Sequence, residues 1–261
     1  PVPEAVEVLR EKIFACVRLT ADNDPQKAWD EHNRHFLSRV RKLNACAFDR
    51  LHYVSGLGTD FTVGLIPGVR WEGGGEYVQG TRQYFNPNLP TEEIFTSPMR
   101  GRAEGIVAAS QPLSHEGVLI RDFSLEFRNG KAVSCRAAGG QKTLENILSM
   151  DENAAYLGEV ALVPESSAVA ATGTLYYNTL FDENASCHLA LGFGFTNLLP
   201  GYENMTPEEC RAAGINSSIS HVDFMLGTGD MKITGITGDG REIAIFEEGE
   251  WTPYFAEDDE K

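Results

Sequence analysis

Near residue 50 the period of the hydrophobic pattern changes, and nothing else in the chain narrows its folds as sharply. Before that point apolar residues recur at helical spacing. Val6, Leu9, Ile13, Phe14 and Val17 predict one helix over residues 3–19, and Asp24-Pro25 opens a second that runs to about Cys46. From Leu51 onward the apolar runs are short, β-type, and punctuated by Gly and Pro. Residues 52–54 and 60–65 read as strands, followed by a turn at Ile66-Pro67-Gly68. Residues 117–127 and 131–137 read as a hairpin, because Asn129-Gly130 supplies the positive φ that a tight turn demands. A last hairpin is expected over 231–246 through Gly238-Asp239-Gly240. Short helices are expected at 143–150, 151–157 and 206–214, the last from a capping Thr206, a first-turn Pro207 and a terminal Gly214. The expectation is an α+β fold: a helical segment over 1–50, with two helices, leads into a β-rich, barrel-like, mixed-sheet domain over 51–261 with short helices between its strands. The charged tail at 257–261 reads as frayed.

Composition enters mainly through charge. Asp plus Glu number 38 against 22 Lys plus Arg, a formal charge of −16, which argues against a phosphate-backbone partner and leaves many carboxylates free to bind hard cations. The five cysteines (Cys16, Cys46, Cys135, Cys187, Cys210) are scattered and never in CxxC spacing, so they read as reduced thiols of a cytoplasmic protein. No apolar run approaches the length of a membrane span. The chain opens at Pro1 without an initiator Met and its first residues already read as helix, the expectation for a fragment or processed product.

The stretch 178–195 concentrates the chemistry. It sets Asp182 and Glu183 shortly before His188 and then drops into a small-residue apolar run, and buried charge is costly unless paired or coordinated. Three other stretches place acid or imidazole against strand residues. A strand over 91–98 puts Glu93, Phe95 and Ser97 on one face; Glu159 heads a strand over 158–163; His221 and Asp223, two apart on a strand over 218–225, share a face. Taken singly, each is better explained as a satisfied core polar group or a rim acid. Together, four carboxylates and two imidazoles make a ligand set for two neighbouring divalent ions with one bridging carboxylate. Such a pair acidifies water and polarises a carbonyl, so the residues alone read as a metal-assisted hydrolase of unspecified bond. Other motifs read as bland. His32 and His35 belong to a solvated helical face, WEGGG at 71–75 to a plain turn or substrate-side loop, and Cys187 to tight packing.

The runs NPNLPTEEIFTSP (86–98), YLGEVALVP (156–164), YNTLFDENASCHLALG (177–192) and SHVDFMLG (220–227), with GTDFTVGL (58–65) and DGREIAIFEEGEW (239–251), resemble the aminopeptidase S / aminopeptidase T family of bacterial dinuclear metalloaminopeptidases. The resemblance implies metal ligands at Glu93, Glu159, Glu183, His188, His221 and Asp223, and two divalent ions drawn from Zn, Co, Mn or Mg. It implies a cytoplasmic homodimer that removes N-terminal residues from peptides, with a hydroxide bound to both ions attacking the first carbonyl. Glu159 and Glu183 are thereby catalytic as well as ligating. Glu92 is a candidate to receive the water proton or bind the substrate amine, or else an exposed strand-edge acid. Asp182 either orients a ligand or caps a turn. Two departures stand out: family members carry an α/β domain ahead of these helices, and the family usually shows a tyrosine where this chain has Phe195. They keep open a non-catalytic metal-stabilised subunit, a truncated member with lost activity, or another dinuclear hydrolase.

Overall fold

Two helices open the chain, at the places their periodicity indicates. In the computed structural model, which describes residues 2–78 and 80–256, α1 spans Pro3–Cys16 and α2 spans Pro25–Cys46. Helix α1 stops short of residue 19 because Arg18 turns left-handed (φ +56°) and the Leu19 amide returns to the Phe14 carbonyl at 2.8 Å. Helix α2 starts where Asp24 Oδ1 accepts the amides of Gln26 (3.1 Å) and Lys27 (3.3 Å), with Pro25 pre-set for the first turn.

The rest is β-rich. Strands β1 (Phe48–Val54), β2 (Asp60–Leu65), β3 (Glu72–Gly73), β4 (Glu76–Tyr77), β5 (Tyr84–Phe85), β6 (Ile94–Thr96), β7 (Pro98–Ala108), β8 (Leu113–His115), β9 (Val118–Arg128) and β10 (Lys131–Gly139) precede α3 (Gln141–Leu148). Then come β11 (Leu157–Leu162), α4 (Thr179–Glu183), β12 (His188–Gly192), α5 (Pro207–Ala213), β13 (His221–Met225), β14 (Lys232–Thr237), β15 (Glu242–Glu247), β16 (Glu250–Trp251) and α6 (Pro253–Ala256). The Asn129-Gly130 hairpin is present with φ values of +50° and +81°. Thr206 and Glu209 form the reciprocal capping box of α5.

One sheet runs β10-β9-β7-β2-β1-β14-β15-β16, with β8 also on β9; a second runs β13-β12-β11-β6-β3, and β4 pairs with β5 alone. Among the described residues every ladder is antiparallel and no sheet closes on itself, which corrects the mixed-sheet, barrel-like expectation. The two larger sheets share one core: Phe123 of β9 meets Phe224 of β13 with ring centroids 5.9 Å apart.

Two further expectations change. The helix expected over 151–157 does not form: residues 151–155 turn and Leu157 already opens β11, because Asp151 Oδ1 takes the Asn153 amide (2.7 Å) while Oδ2 takes the Ser218 hydroxyl (2.7 Å) and the Ile219 amide (2.8 Å). That same carboxylate diverts residues 218–220, so the strand begins only at His221. The expected frayed tail, 257–261, lies outside the described residues.

Candidate metal centre

The β13-β12-β11-β6-β3 sheet has two unlike faces. Strand alternation sends Val160, Leu162, Leu189, Leu191, Val222 and Phe224 into the core, so Glu159, Ala161, His188, Ala190, His221 and Asp223 share the opposite face. Register orders them: Glu159 faces Ala190, which faces Asp223, and His188 faces Ala161, which faces Phe95. A single methyl thus separates two carboxylates. The register of β11 shifts between Leu157 and Glu159, and such a bulge re-aims the side chain that follows. Gly158 makes it feasible, since a Cβ there would lie 2.0 Å from the Phe193 carbonyl oxygen.

Glu93 and Glu183 reach the same space from outside those strands, Glu93 one residue ahead of β6 and Glu183 at the end of α4. His188 Nε2 lies 2.9 Å from Glu93 Oε2. His221 Nε2 lies 3.1 Å from Glu159 Oε2 and 3.2 Å from Asp223 Oδ1. Each ring donates its Nδ1–H to a backbone carbonyl, His188 to Ser186 (3.0 Å) and His221 to Phe193 (2.9 Å). This leaves both Nε2 atoms toward the carboxylates, the orientation that metal-ligating histidines take from their outer partners.

Ligand atoms of Glu93, Glu159 and His188 lie within 4.8 Å of one another, as do those of Glu159, His221 and Asp223. Glu159 belongs to both trios. Burial pushes the Glu159 carboxyl up to about 7 against the pull of its His221 hydrogen bond, with Glu93 and Asp223 adding to the rise. Burial likewise takes Glu183 up to about 8; the nearby His188 opposes this, and Glu93, Asp223 and Glu159 reinforce it. Burial disfavours both imidazolium ions, yet Glu93 holds His188 up at about 10, and Asp223 and Glu159 hold His221 up at about 11. Burial would raise Asp223 too, but the His221 hydrogen bond and both imidazoles bring it below its ordinary value. The cluster therefore retains protons because it is an excess of buried negative charge, and divalent cations meet the same demand. Two imidazoles and carboxylate oxygens around one shared glutamate fit a pair of such ions.

A cavity of about 680 Å³ opens over this face. All six residues line it, as do Glu72, Gly73 and Gly74 of the WEGGG run and Leu37 and Val40 of α2. WEGGG is thus on the cavity side, and a Cβ at Gly73 would lie 2.5 Å from the Glu93 carbonyl oxygen. Nothing in the sequence marks the α2 wall, where Leu37 and Val40 look like ordinary apolar positions of an amphipathic helix.

Other candidates fall differently. Glu92 is neither exposed nor part of the cavity lining: it is buried, and the Arg18 guanidinium forks onto both its oxygens. Asp182 caps a turn, accepting the amides of Tyr176 (2.7 Å) and Asn178 (3.0 Å). His32 is buried rather than solvated, its Nε2 donating to the Thr91 carbonyl at 2.7 Å and its ring packed on Phe36. Phe195 lines the cavity with its ring centroid 5.4 Å from that of His221 and 5.3 Å from that of Phe95. Cys187 is buried, and burial raises its thiol to about 12, so it is an inert packing residue.

Residues 1–251 match the family described as thermophilic metalloprotease (M29). The chain is 43% identical over 248 residues to Aminopeptidase AmpS of Bacillus subtilis (strain 168), covering 95% of this chain and 60% of that protein. It is 42% identical over 248 residues to Aminopeptidase PepS of Streptococcus thermophilus, covering 95% and 59%. Its fold superposes on the structure of wild-type AmpT from Thermus thermophilus with a TM-score of 0.87 at 42% identity, covering 96% of this chain and 60% of that one. The chain therefore spans about three fifths of the length of these relatives.

Proposed function

Because the chain belongs to the thermophilic metalloprotease (M29) family, a family whose chemistry depends on divalent metal, we propose that it is a metalloaminopeptidase that hydrolyses the N-terminal residue from peptides at the Glu159-centred site. The observation that carries the reading is Glu159 itself, common to the Glu93/His188 trio and the His221/Asp223 trio. Glu93, Glu159 and His188 would hold one divalent cation, and Glu159, His221 and Asp223 a second. Bound there, such ions supply acidified water and a polarised carbonyl near neutral pH.

The chain's own groups do the rest. His188 and His221 keep Nε2 toward the site because Nδ1 is committed to a carbonyl. Glu183 lies outside both trios yet lines the same cavity, so its carboxylate is placed to exchange a proton with a substrate held there. The catalytic role considered for Glu92 passes to Glu183, since Arg18 already occupies the Glu92 carboxylate. The oxygen-rich donor set with two imidazoles accommodates zinc, cobalt, manganese or magnesium. The proposal extends to a cytoplasmic homodimer, in keeping with five free cysteines. No helix among the described residues is long and apolar enough to cross a membrane.

The test is to strip the chain with chelator, add back Co²⁺, Mn²⁺ or Zn²⁺, and follow a leucine-led peptide beside its N-acetylated twin. Cleavage of the free peptide alone, abolished by chelator, is the expected result. Equal cleavage of both would make it a different dinuclear hydrolase. Phe195 favours a second reading, a metal-binding subunit without turnover, because the cavity wall beside His221 carries a ring with no hydroxyl. Metal binding without cleavage of either peptide would establish that instead.

A further inference from the structure

Four of the six candidate ligands are fixed by the strands that carry them, whereas Glu93 and Glu183 lie at the ends of short segments and need something else to hold them. Asn184 provides it. This residue is 1% exposed; its Oδ1 accepts the Glu92 amide at 2.6 Å and its Nδ2 donates to the Leu180 carbonyl at 2.8 Å. One planar amide thus ties the peptide unit beside Glu93 to the helix that ends in Glu183. The Glu92 side chain is anchored independently. Arg18, in the left-handed turn after α1, engages both its oxygens, with Nη2 2.9 Å from Oε2, and its guanidinium lies 5.4 Å from the Trp29 ring centroid. On the other side, the Thr91 carbonyl is held by His32 of α2. Arg18, Glu92 and Asn184 are all outside the cavity lining.

We infer that Asn184, backed by the Arg18–Glu92 pair, is a positioning residue that sets Glu93 against His188 and Glu183. The inference rests on the two-cation reading above. It assigns the α1–α2 connector a purpose at the site: a loop far along the sequence from Glu92 fixes the segment carrying Glu93.

Calorimetric titration of the chelator-treated protein with Mn²⁺ tests it, comparing wild type with Asn184→Ala, Arg18→Met and Arg18→Lys. Wild type should show two binding steps. In Asn184→Ala one step should weaken by roughly 10–100-fold, as outer-shell changes do, while the other is unchanged. Arg18→Met should weaken the same step less, and Arg18→Lys should recover part of the loss. Selective weakening of one step is what a merely structural role would not produce. Equal affinities in all four proteins, or equal weakening of both steps, would overturn the inference and leave the two-cation reading intact. A wild type that binds no ion would overturn both. Should Asn184→Ala fail to fold, the Arg18 pair of variants decides the question by the same criterion.

Discussion

The two halves of the centre are built in different ways. Glu159, His188, His221 and Asp223 stand on three adjacent antiparallel strands, where backbone ladders set their spacing and a core on the far face prevents slippage. Glu93 and Glu183 stand on a loop end and a five-residue helix, and their spacing depends on side chains that never touch the cavity. A sheet positions ligands through cooperative hydrogen bonding shared by many residues, so no single change loosens it. A loop does so through a few buried polar contacts, each of which costs about 1–3 kcal/mol when a partner is left unsatisfied.

The largest effect should come from Glu159→Gln, which removes a ligand from both trios at once. Its loss of metal affinity should exceed the roughly 100-fold ceiling of outer-shell changes, and turnover should fall with it. Calorimetry and peptide cleavage check this, and retention of both binding steps would break the assignment of Glu159 as the shared ligand.

Ala190→Leu sharpens the contrast from the strand side. Ala190 is fully buried between Glu159 and Asp223, so added volume should cost about 1–3 kcal/mol of stability and crowd both carboxylates. Denaturant unfolding and metal titration read the two consequences separately. On the loop side, Asp182→Ala removes the acceptor of the Tyr176 and Asn178 amides just ahead of α4, and leaving such donors without a partner costs about 1–3 kcal/mol. Unfolding of the metal-free protein measures it; no change would mean that α4 is held by packing alone.

The smallest effect at neutral pH, growing only as the solution is acidified, is a pH dependence behind the loop half. Burial, assisted by the charge of Arg18, lowers the His32 imidazole to about 3 from its ordinary 6.5. A histidine whose folded value is depressed contributes stability that is fully present above the unfolded value and is lost as pH falls toward the folded one. Stability of the metal-free protein should therefore decline between about pH 6.5 and 3 with a component that His32→Gln removes. Urea melts at several pH values test this, and parallel slopes in both proteins would contradict it.

How much of this was legible beforehand follows the same division. The shared face of the strand-borne candidate ligands could be read because β alternation is local: in HLALG and HVDFM the polar and apolar positions already declare two faces. The helix expected at 151–157 does not form because the outcome hinges on Asp151 meeting Ser218 and Ile219, partners far along the chain. His32 looked solvated for the same reason, since only the fold brings the Thr91 carbonyl to it. Arg18 and Asn184 gave no signal at all; their chemistry is ordinary until a buried carboxylate and an amide arrive beside them.

The sequence by itself determined the α+β succession, the hairpins with their positive-φ turns, the strand face that carries the candidate ligands and the excess of acid over base. Those are consequences of local sterics, periodicity and charge, which each segment carries with it. Only the tertiary structure decided that Glu159 serves both trios, that Glu92 turns away to Arg18, and that α2 walls the cavity. Each of these depends on which distant atoms share a low-dielectric space, and that is set by packing two sheets and a helix together.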